Sequence, residues 1–419
     1  MPKLTLHASR KTKDTPAGEI PVDWAVVPLA KLVRALDSGV SVSADDRPAA
    51  GGEKAVLKLN AVWDARFFPE QNKTVSPAEV HRLETSPTSG CVIISRSNTP
   101  DLVGAVGFVK DTHPRLFLPD TLWQMVFMRK DASLGRWVAY TLASTKYRQI
   151  LKQLASGTSA NMKKLQKGTL LKLPIPLPPL PEQRKIADIL STWDGALEKL
   201  EALIAAKEKS MRAIAQQLLS NGRNATKRAI GTMTEKLGSL FWERVEQNHP
   251  ELPLLAITAN RGVIRRDAME KRDTSPGDKS KYLRIAPGDI GYNTMRMWQG
   301  VSALSSMEGI ISPAYTVCVP GPHIDGRFAA HFFKFPPTVH QFFRHSQGLV
   351  DDTLNLKFPN FARIVVTIPE NLDDQRRIAD ILDACAEELR LLRDQRATLD
   401  LQKRGLMQRL LTGRVRVAP

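Results

Sequence analysis

The sequence predicts an α+β protein in which two mixed α/β globules are separated by two long antiparallel coiled-coil helices in a pseudo-twofold repeat. The main observation is that the 39-residue segment 182–220 recurs at 374–412, and both copies begin with the motif QRxIADIL. The rest of the chain consists of short apolar runs broken by Pro, Gly, Asn and Asp, which is typical of mixed sheets. The repeat unit is therefore a globule followed by a helix.

The two copies are predicted to be helices that pair with each other. Apolar residues recur at alternating steps of four and three, which is the period of a coiled-coil seam. The seam residues are Ile186, Leu190, Trp193, Leu197, Leu200 and Ile204 in the first copy, and Ile378, Leu382, Leu389, Leu392, Leu399 and Leu406 in the second. A glycine follows each copy, as is common after helix C-termini. The alternative, two unrelated helices of ordinary bundles, does not explain the copied sequence.

Three seam positions carry a charge, at Lys207, Arg396 and Lys403. A charged residue at a seam costs stability and is tolerated where it fixes the register or faces water. Solvation by water and contact with a further protein partner are both open for these side chains.

The repeat divides the chain into five parts. They are a mobile N-terminal arm (1–20), a first globule (21–178), a first helical spacer (179–222), a second globule (223–369) and a second helical spacer (370–419). Five prolines between Pro174 and Pro181 predict a stiff, extended connection into the first helix. A related segment precedes each helix, so that Gly157 corresponds to Gly348 and Leu165 to Leu356.

Composition favours a nucleic-acid partner. The 419 residues include 60 Lys and Arg against 43 Asp and Glu, a net charge of +17, and such an excess attracts polyanions. A membrane surface or the ribosome would also satisfy the charge. The chain has no apolar run long enough to span a bilayer and no secretory signal, so a cytoplasmic protein is expected. Three widely separated cysteines argue against a disulfide framework or a structural zinc site.

Known catalytic motifs are missing from the sequence, which favours a binding protein over an enzyme. Arg recognises guanine bidentately, Asn and Gln recognise adenine, and Lys neutralises phosphates. Polar loops supply the candidates for DNA contact: Asn72, Lys73, Arg96 and Asn98 in the first globule, and Arg261, Arg265, Arg266, Lys271, Arg272, Asn293, Arg296 and Gln299 in the second. For each one alone, an ordinary solvated side chain is the competing interpretation.

The repeated PLPPLPEQRKIADILSTWD and DQRRIADILDA, with their QQLL and QRLLTGRV tails, resemble the specificity subunit of type I restriction-modification enzymes. The resemblance covers nearly the whole chain. PGDI at 287–290 and GIISPAY at 309–315 also resemble a pattern of the recognition domains in these subunits. The first globule departs from that pattern, because it has SGCVIISRS where PGD would stand.

The resemblance implies a non-catalytic subunit with two target-recognition domains, each binding one half of an asymmetric, interrupted sequence in double-stranded DNA. It also implies that the helices set the spacing and dock two methyltransferase subunits, and that restriction/translocase subunits join them. The chain itself would hold no cofactor and no metal, with S-adenosylmethionine and ATP bound by its partners. A coiled-coil scaffold, a nucleic-acid-binding adaptor without sequence specificity and an enzyme of unrecognised type are the alternatives.

Overall fold

The computed structural model of this chain describes residues 6–8, 11–129, 132–157, 162–220, 231–258, 261–269, 277–350 and 353–417. The chain divides into two units. Unit 1 comprises residues 1–201 and 395–419, and unit 2 comprises residues 202–394. Both long helices contribute to both units, so each unit contains one globule and half of each helix. Among the described residues, no helix combines the length and the apolar character that a membrane span requires.

Unit 1 is built from short strands, shorter helices and half of each long helix. Its strands are β1 (Leu6–Ala8), β2 (Thr12–Lys13), β3 (Ile20–Pro21), β4 (Ala25–Pro28), β5 (Val33–Ser38), β6 (Ala44–Asp45), β7 (Ala55–Leu57), β8 (Val62–Trp63), β9 (Arg66–Phe67), β10 (Asn72–Val75), β11 (Val92–Ser95), β12 (Ser97–Asn98), β13 (Val106–Phe108), β14 (Leu116–Phe117), β15 (Leu122–Phe127), β16 (Lys163–Lys164) and β17 (Pro174–Leu177). Its helices are α1 (Ala132–Ala143), α2 (Thr145–Leu154), α3 (Lys167–Leu171), the first half of α4 (Leu180–Leu219) and the second half of α9 (Leu372–Leu411).

Unit 2 also consists of short strands, shorter helices and half of each long helix. Its strands are β18 (Thr232–Lys236), β19 (Phe241–Glu243), β20 (Leu255–Thr258), β21 (Gly262–Arg265), β22 (Leu283–Ile285), β23 (Ile290–Asn293), β24 (Ser302–Leu304), β25 (Gly309–Ile311), β26 (Tyr315–Pro320) and β27 (Val365–Pro369). Its helices are the second half of α4, α5 (Leu237–Leu240), α6 (Gly326–Phe332), α7 (Pro336–His345), α8 (Phe358–Phe361) and the first half of α9 (Leu372–Leu411). The last strand of the chain, β28 (Val415–Val417), pairs antiparallel with β1 and belongs to unit 1.

A four-stranded antiparallel sheet with the same strand order forms part of each unit. The order is β13-β11-β15-β5 in unit 1 and β24-β23-β26-β19 in unit 2. In both, the second strand along the chain lies between the third and the fourth, and the first strand lies beside the fourth. The second globule therefore repeats the topology of the first, although their sequences differ.

The turn that leads into the second strand is also equivalent in the two sheets. Gly90 precedes β11 with φ of +85°, and Gly288 precedes β23 with φ of +93°, a conformation that residues with a Cβ rarely adopt. In unit 2 the buried Asp289 closes this turn and accepts a hydrogen bond from Arg244 Nε at 2.8 Å. Cys91 takes that position in unit 1. SGCV is thus the counterpart of PGDI.

The proline-rich connection is extended, as the sequence predicts. Strand β17 pairs antiparallel with β4. Because proline has no N–H, the other edge of this strand offers mainly carbonyl acceptors. Side chains of Tyr147, Trp137 and Gln183 donate to the carbonyl oxygens of the first three prolines, at 2.5, 2.9 and 2.6 Å. Strand β17 is therefore hydrogen-bonded to β4 along one edge and to side chains along the other.

The repeated motif at the start of each long helix packs into the core of its own unit. Its buried apolar residues are Ile186, Ala187 and Leu190 in unit 1 and Ile378, Ala379 and Leu382 in unit 2. Its glutamine is buried in both copies, and Gln375 donates to Pro369 O at 2.8 Å as Gln183 does to Pro178 O. Its aspartate forms an ion pair with the globule, Asp188 with Arg136 at 3.2 Å and Asp380 with Arg327 at 2.7 Å.

The two long helices pair antiparallel within each unit, which confirms the predicted fold class. In unit 1 the helices are linked by Asp194–Lys403 at 2.7 Å and Glu201–Arg396 at 3.0 Å. In unit 2 they are linked by Lys207–Glu388 at 2.6 Å and Glu208–Arg393 at 2.7 Å. Each of the three charged seam positions therefore faces a carboxylate on the opposite helix.

The predicted seam residues are all buried or half-buried. Ile186, Leu190, Leu197, Ile378, Leu382 and Leu389 are buried, whereas Trp193, Leu200, Ile204, Leu392, Leu399 and Leu406 are half-buried. Two paired helices leave the flanks of their seam open to solvent unless a globule also covers it. The buried residues at the helix starts have this second cover, since they belong to the hydrophobic cores of the globules.

Lys403 is fully buried, and two carboxylates hold its ammonium group. Its Nζ lies 2.7 Å from Asp194 and 2.9 Å from Asp64, and Tyr140 donates to Asp194 at 2.5 Å. Burial opposes the charged form, but the two carboxylates raise the pKa of Lys403 above its ordinary value. Asp64 and Ala65 form a two-residue turn with φ of 51° and 64°, which costs about 1–2 kcal/mol for each residue. The ion pair thus stabilises a strained turn of the globule.

Part of the predicted N-terminal arm has regular structure. Strand β2 pairs with β3, and Lys13 donates to Val22 O at 2.9 Å. Ile20 is buried in the core of unit 1. The prediction of a mobile arm is wrong for residues 11–20, which contain a short hairpin with one buried apolar residue, Ile20. The polar residues around Ile20 gave no apolar pattern in the sequence. The other domain boundaries stay predictions.

We expect Lys403→Met to lower the free energy of unfolding of the full chain by about 3–5 kcal/mol, because two carboxylates at a buried site lose their cation. Methionine is the residue at the equivalent position of the first helix, Met211, so the side chain fits a seam. The raised pKa means that the contribution of Lys403 is complete below the unfolded-state value of about 10.4 and is lost as pH rises through the folded-state pKa.

Urea unfolding at neutral pH measures this loss. Lys207→Met is the matched control, because its ion pair is 40% exposed on the lysine side and is worth at most about 1 kcal/mol. Equally small losses in both variants would refute the structural role of Lys403.

Candidate nucleic-acid interface

The second strand of each four-stranded sheet ends in a loop that contains residues predicted from the sequence to contact DNA. SRSNT includes the end of β11, and NTMRMWQ begins at the end of β23. The loops are held in the same way, since Arg96 N donates to Thr121 O at 2.9 Å and Thr294 N donates to Ala314 O at 3.1 Å. We call residues 96–99 and 294–299 the strand-end loops. They are topologically equivalent, which the sequence did not reveal.

A second element is joined to each strand-end loop. This pre-helix hairpin is defined by an antiparallel β-bridge between its end residues, Ser156 with Lys164 in unit 1 and Gln347 with Asn355 in unit 2. Gly157 and Gly348 have φ of 150° and 146°, as the repeated segment requires. The residue after the hairpin donates its N–H to the strand-end loop in both units, Leu165 to Arg96 O at 2.8 Å and Leu356 to Thr294 O at 2.9 Å.

Two asparagine candidates in unit 1 are structural. Asn72 is buried, donates to Pro69 O at 2.8 Å and accepts from Ala49 N at 2.9 Å. Asn98 is buried as well, donates to Ser95 Oγ at 3.2 Å and accepts from a neighbouring backbone N–H. Both ends of each amide are used inside the protein, which argues against base contact by these two residues.

The two basic candidates of unit 1 lie in different sheets. Lys73 is on β10, half-buried, with Nζ 3.5 Å from Asp46. Arg96 is in the strand-end loop, with its guanidinium carbon 5.3 Å from the centroid of the Trp123 ring. Arg96 is half-buried and also donates to Asp120 O at 3.3 Å. Of these two residues, only Arg96 therefore lies in a strand-end loop, the element that has an equivalent in unit 2.

The sequence analysis missed the lysines of unit 1 that lie beside Arg96. Strand β16 pairs Lys164 with Ser97 and Lys163 with Asn98. Lys167 is exposed, and its Nζ lies 5.7 Å from the centroid of the same Trp123 ring. The basic run in NMKKLQKG was a signal for these residues, but their proximity to Arg96 depends on a long-range strand pairing.

The strand-end loop of unit 2 presents its polar side chains outward. Asn293 is half-buried and accepts a hydrogen bond from a backbone N–H of the loop at 2.9 Å, so only part of its amide is available. Arg296 and Gln299 are exposed. Trp298 anchors the loop, because its ring lies 6.3 Å from Phe343 of α7. Arg296 and Gln299 thus project from a fixed base.

The remaining candidates of unit 2 belong to or follow the β20–β21 hairpin. This hairpin packs on the second strand of the sheet, since a Cβ at Gly291 would lie 2.2 Å from Ile257 Cδ1. Arg261 is exposed, Arg265 is paired with its neighbour Asp267 at 2.8 Å, and Arg266 donates to a methionine sulfur at 3.1 Å. Lys271 and Arg272 lie outside the described residues.

A family model described as the type I restriction modification DNA specificity domain matches residues 124–207. The range includes the pre-helix hairpin, the proline strand and the start of α4. The chain is also 21% identical to the putative type I restriction enzyme MjaX specificity subunit of Methanocaldococcus jannaschii, over 99% of both chains. Along nearly its whole length, the chain is therefore similar to type I restriction-modification specificity subunits.

Further relatives show the same similarity. The EcoEI specificity subunit of Escherichia coli is 20% identical over 49% of this chain and 35% of its own length. The crystal structure of an S subunit from a type I restriction-modification system of M. genitalium superposes with a TM-score of 0.58 at 15% identity, covering 96% of this chain and 98% of that one. The fold of a specificity subunit is therefore retained at low sequence identity.

We expect Asn98→Ala to lower the free energy of unfolding by about 1–3 kcal/mol, because buried partners lose their hydrogen bonds. Arg296→Ala should change it by no more than about 0.5 kcal/mol, as is usual for an exposed residue. Chemical denaturation of the full chain measures both values. A neutral Asn98 variant would return this residue to the set of candidate DNA contacts.

Proposed function

We propose that this chain is a specificity subunit and recognises an asymmetric, bipartite sequence in double-stranded DNA, with one half bound by each globule. The observation that carries the proposal is the pair of equivalent strand-end loops on sheets of identical topology. The frame is the same in both units, but one loop presents Arg96 and the other presents Arg296 and Gln299. Different side chains on equivalent frames are what recognition of two different half-sites requires.

Charge and side-chain chemistry support DNA as the ligand. The net charge of +17 gives a general attraction for the phosphate backbone. Arginine and glutamine are the residue types that distinguish guanine and adenine in the major groove. Sequence preference is therefore expected from exposed residues such as Arg296 and Gln299, and affinity from the many basic residues around them.

We also propose the partners. Two methyltransferase subunits that carry S-adenosylmethionine dock on the helices, and ATP-dependent restriction/translocase subunits join this complex in the cytoplasm. The chain itself would be non-catalytic. Exposed leucines on the helices support docking, with Leu391 of unit 2 at 53% exposure and Leu401 of unit 1 at 71%. We assign docking to these exposed positions because they lie on the helices and outside the seam.

We expect a gapped adenine-methylation motif to be present in the host genome when the gene is present and to vanish when it is deleted. Replacing the second globule by that of another specificity subunit should change only one half of the motif, because each globule has its own core. Sequencing of methylated adenines measures both effects. A graft that alters both halves would overturn the modular proposal, and an unchanged methylome would overturn the function.

We expect Leu401→Glu to weaken association with the methyltransferase subunit by about tenfold or more, because a buried interface leucine contributes about 1.5–3 kcal/mol. Gln402→Glu is the matched control, since it adds the same charge at the next exposed position. Co-purification and titration of the two subunits provide the measurement. Equal affinities for both variants would place the docking surface elsewhere.

A further inference from the structure

The strand-end loop of unit 1 carries an unusual concentration of positive charge around one indole ring. Arg96 and Lys167 both lie over Trp123, at 5.3 and 5.7 Å from its centroid. The guanidinium carbon of Arg96 and Nζ of Lys167 are therefore separated by no more than the sum of these two distances. Lys164 is exposed and pairs with Ser97, the residue after Arg96. We call Arg96, Lys164 and Lys167 the Trp123 basic cluster.

Carboxylates do not neutralise this cluster. In the part of the chain that the structure describes, none of the three residues has an ion-pair partner within 4 Å, and the polar contacts of Arg96 and Lys167 go to the carbonyl oxygens of Asp120 and Leu36. Like charges held together without a counter-charge repel each other. An anion bound between them would remove this repulsion.

Unused donors lie at the same place. Within the described chain, the buried Nε of Arg96, Nε1 of Trp123 and Oγ of Ser97 have no hydrogen-bond partner. Trp123 is only 2% exposed and belongs to the hydrophobic core of unit 1, with Arg96 and Lys167 over its ring. A small movement of these two flexible side chains toward an anion would bring donors to it. The chemistry of the loop is therefore that of an anion site.

The cluster is confined to unit 1. When Leu165 is aligned with Leu356, the positions of Arg96, Lys164 and Lys167 are taken in unit 2 by Thr294, Asn355 and Phe358. Unit 2 therefore has no counterpart of the basic cluster at the aligned positions.

We propose that the two lysines of the Trp123 basic cluster bind backbone phosphates of DNA and supply affinity without sequence preference, whereas base recognition belongs to the strand-end loops of both units. This inference rests on the proposed function and adds a phosphate contact to it. Phosphate contacts fix position on the duplex and carry no direct sequence information. Loss of the two lysines should consequently weaken binding to all duplexes alike.

The test is the double variant Lys164→Ala/Lys167→Ala of the full chain, with affinity measured by fluorescence anisotropy between 50 and 200 mM salt. One duplex carries the methylated motif and a second has the same composition in scrambled order. We expect equal fold losses on both duplexes and a salt slope smaller by about two, since each phosphate contact contributes about 0.9. Across this salt range, the affinity of the variant should change about tenfold less than that of the wild type.

Three comparisons make the result decisive. Lys164→Arg/Lys167→Arg should keep the wild-type slope, because arginine also binds phosphate. Lys54→Ala/Lys110→Ala removes two exposed lysines elsewhere in unit 1, with Lys110 beyond the opposite end of β11 from Arg96, and should change the slope less. Arg296→Ala/Gln299→Ala should reduce the ratio of the two affinities instead of lowering both equally.

The outcomes separate this proposal from the proposed function. If the wild type prefers its motif but the double alanine variant keeps the full slope, the phosphate site is refuted and DNA recognition stands. If the wild type shows no preference between the duplexes, DNA recognition by sequence fails whatever the slope. Saturable binding of inorganic phosphate that the alanine variant loses, with unchanged DNA affinity, would assign the cluster to a free phosphate ligand.

Discussion

The structure depends on burial of the start of each long helix in the core of its own globule. Helix formation by an isolated segment is marginal in water, and a two-helix seam covers each apolar side chain only partly. The repeated motif solves this problem at one end, because its isoleucine, alanine and leucine are buried in the globule and its glutamine caps the strand that precedes the helix. Each globule therefore fixes the position and direction of one helix.

The charged seam positions then specify how the helices pair. A lysine or arginine in a seam is costly unless a carboxylate faces it. Lys403 meets this condition only where Asp194 and Asp64 converge, and Arg396 only beside Glu201, which also binds Arg66. Burial disfavours the ionised form of Glu201, yet the two arginines lower its pKa below the ordinary value. Sliding one helix by a turn would separate these charges, so the ion pairs set the register that apolar residues leave open.

Sequence alone could predict the frame but only part of the site, for a physical reason. Leucine and isoleucine at seam spacing have one stable environment, so the helices and their pairing followed from the pattern. Polar residues have several environments, and their identity does not distinguish an amide that binds DNA from one that closes a turn, as Asn72 and Asn98 do. The contact of Lys164 with the loop of Arg96 arises from pairing of β12 with β16, and two-residue strands leave almost no trace in a sequence.

The equivalence of the two loops explains how one frame can carry two different sets of outward side chains. Each loop is attached by the same backbone hydrogen bonds, to the sheet on one side and to the pre-helix hairpin on the other. Backbone bonds do not depend on side-chain identity, so the outward side chains can change without loss of the loop conformation. The helix starts have no such freedom, because their side chains fill a core in which even one methylene matters. A duplicated globule must keep the residues that hold its helix. The outward side chains of its loop can nevertheless change while the backbone attachment of the loop stays the same.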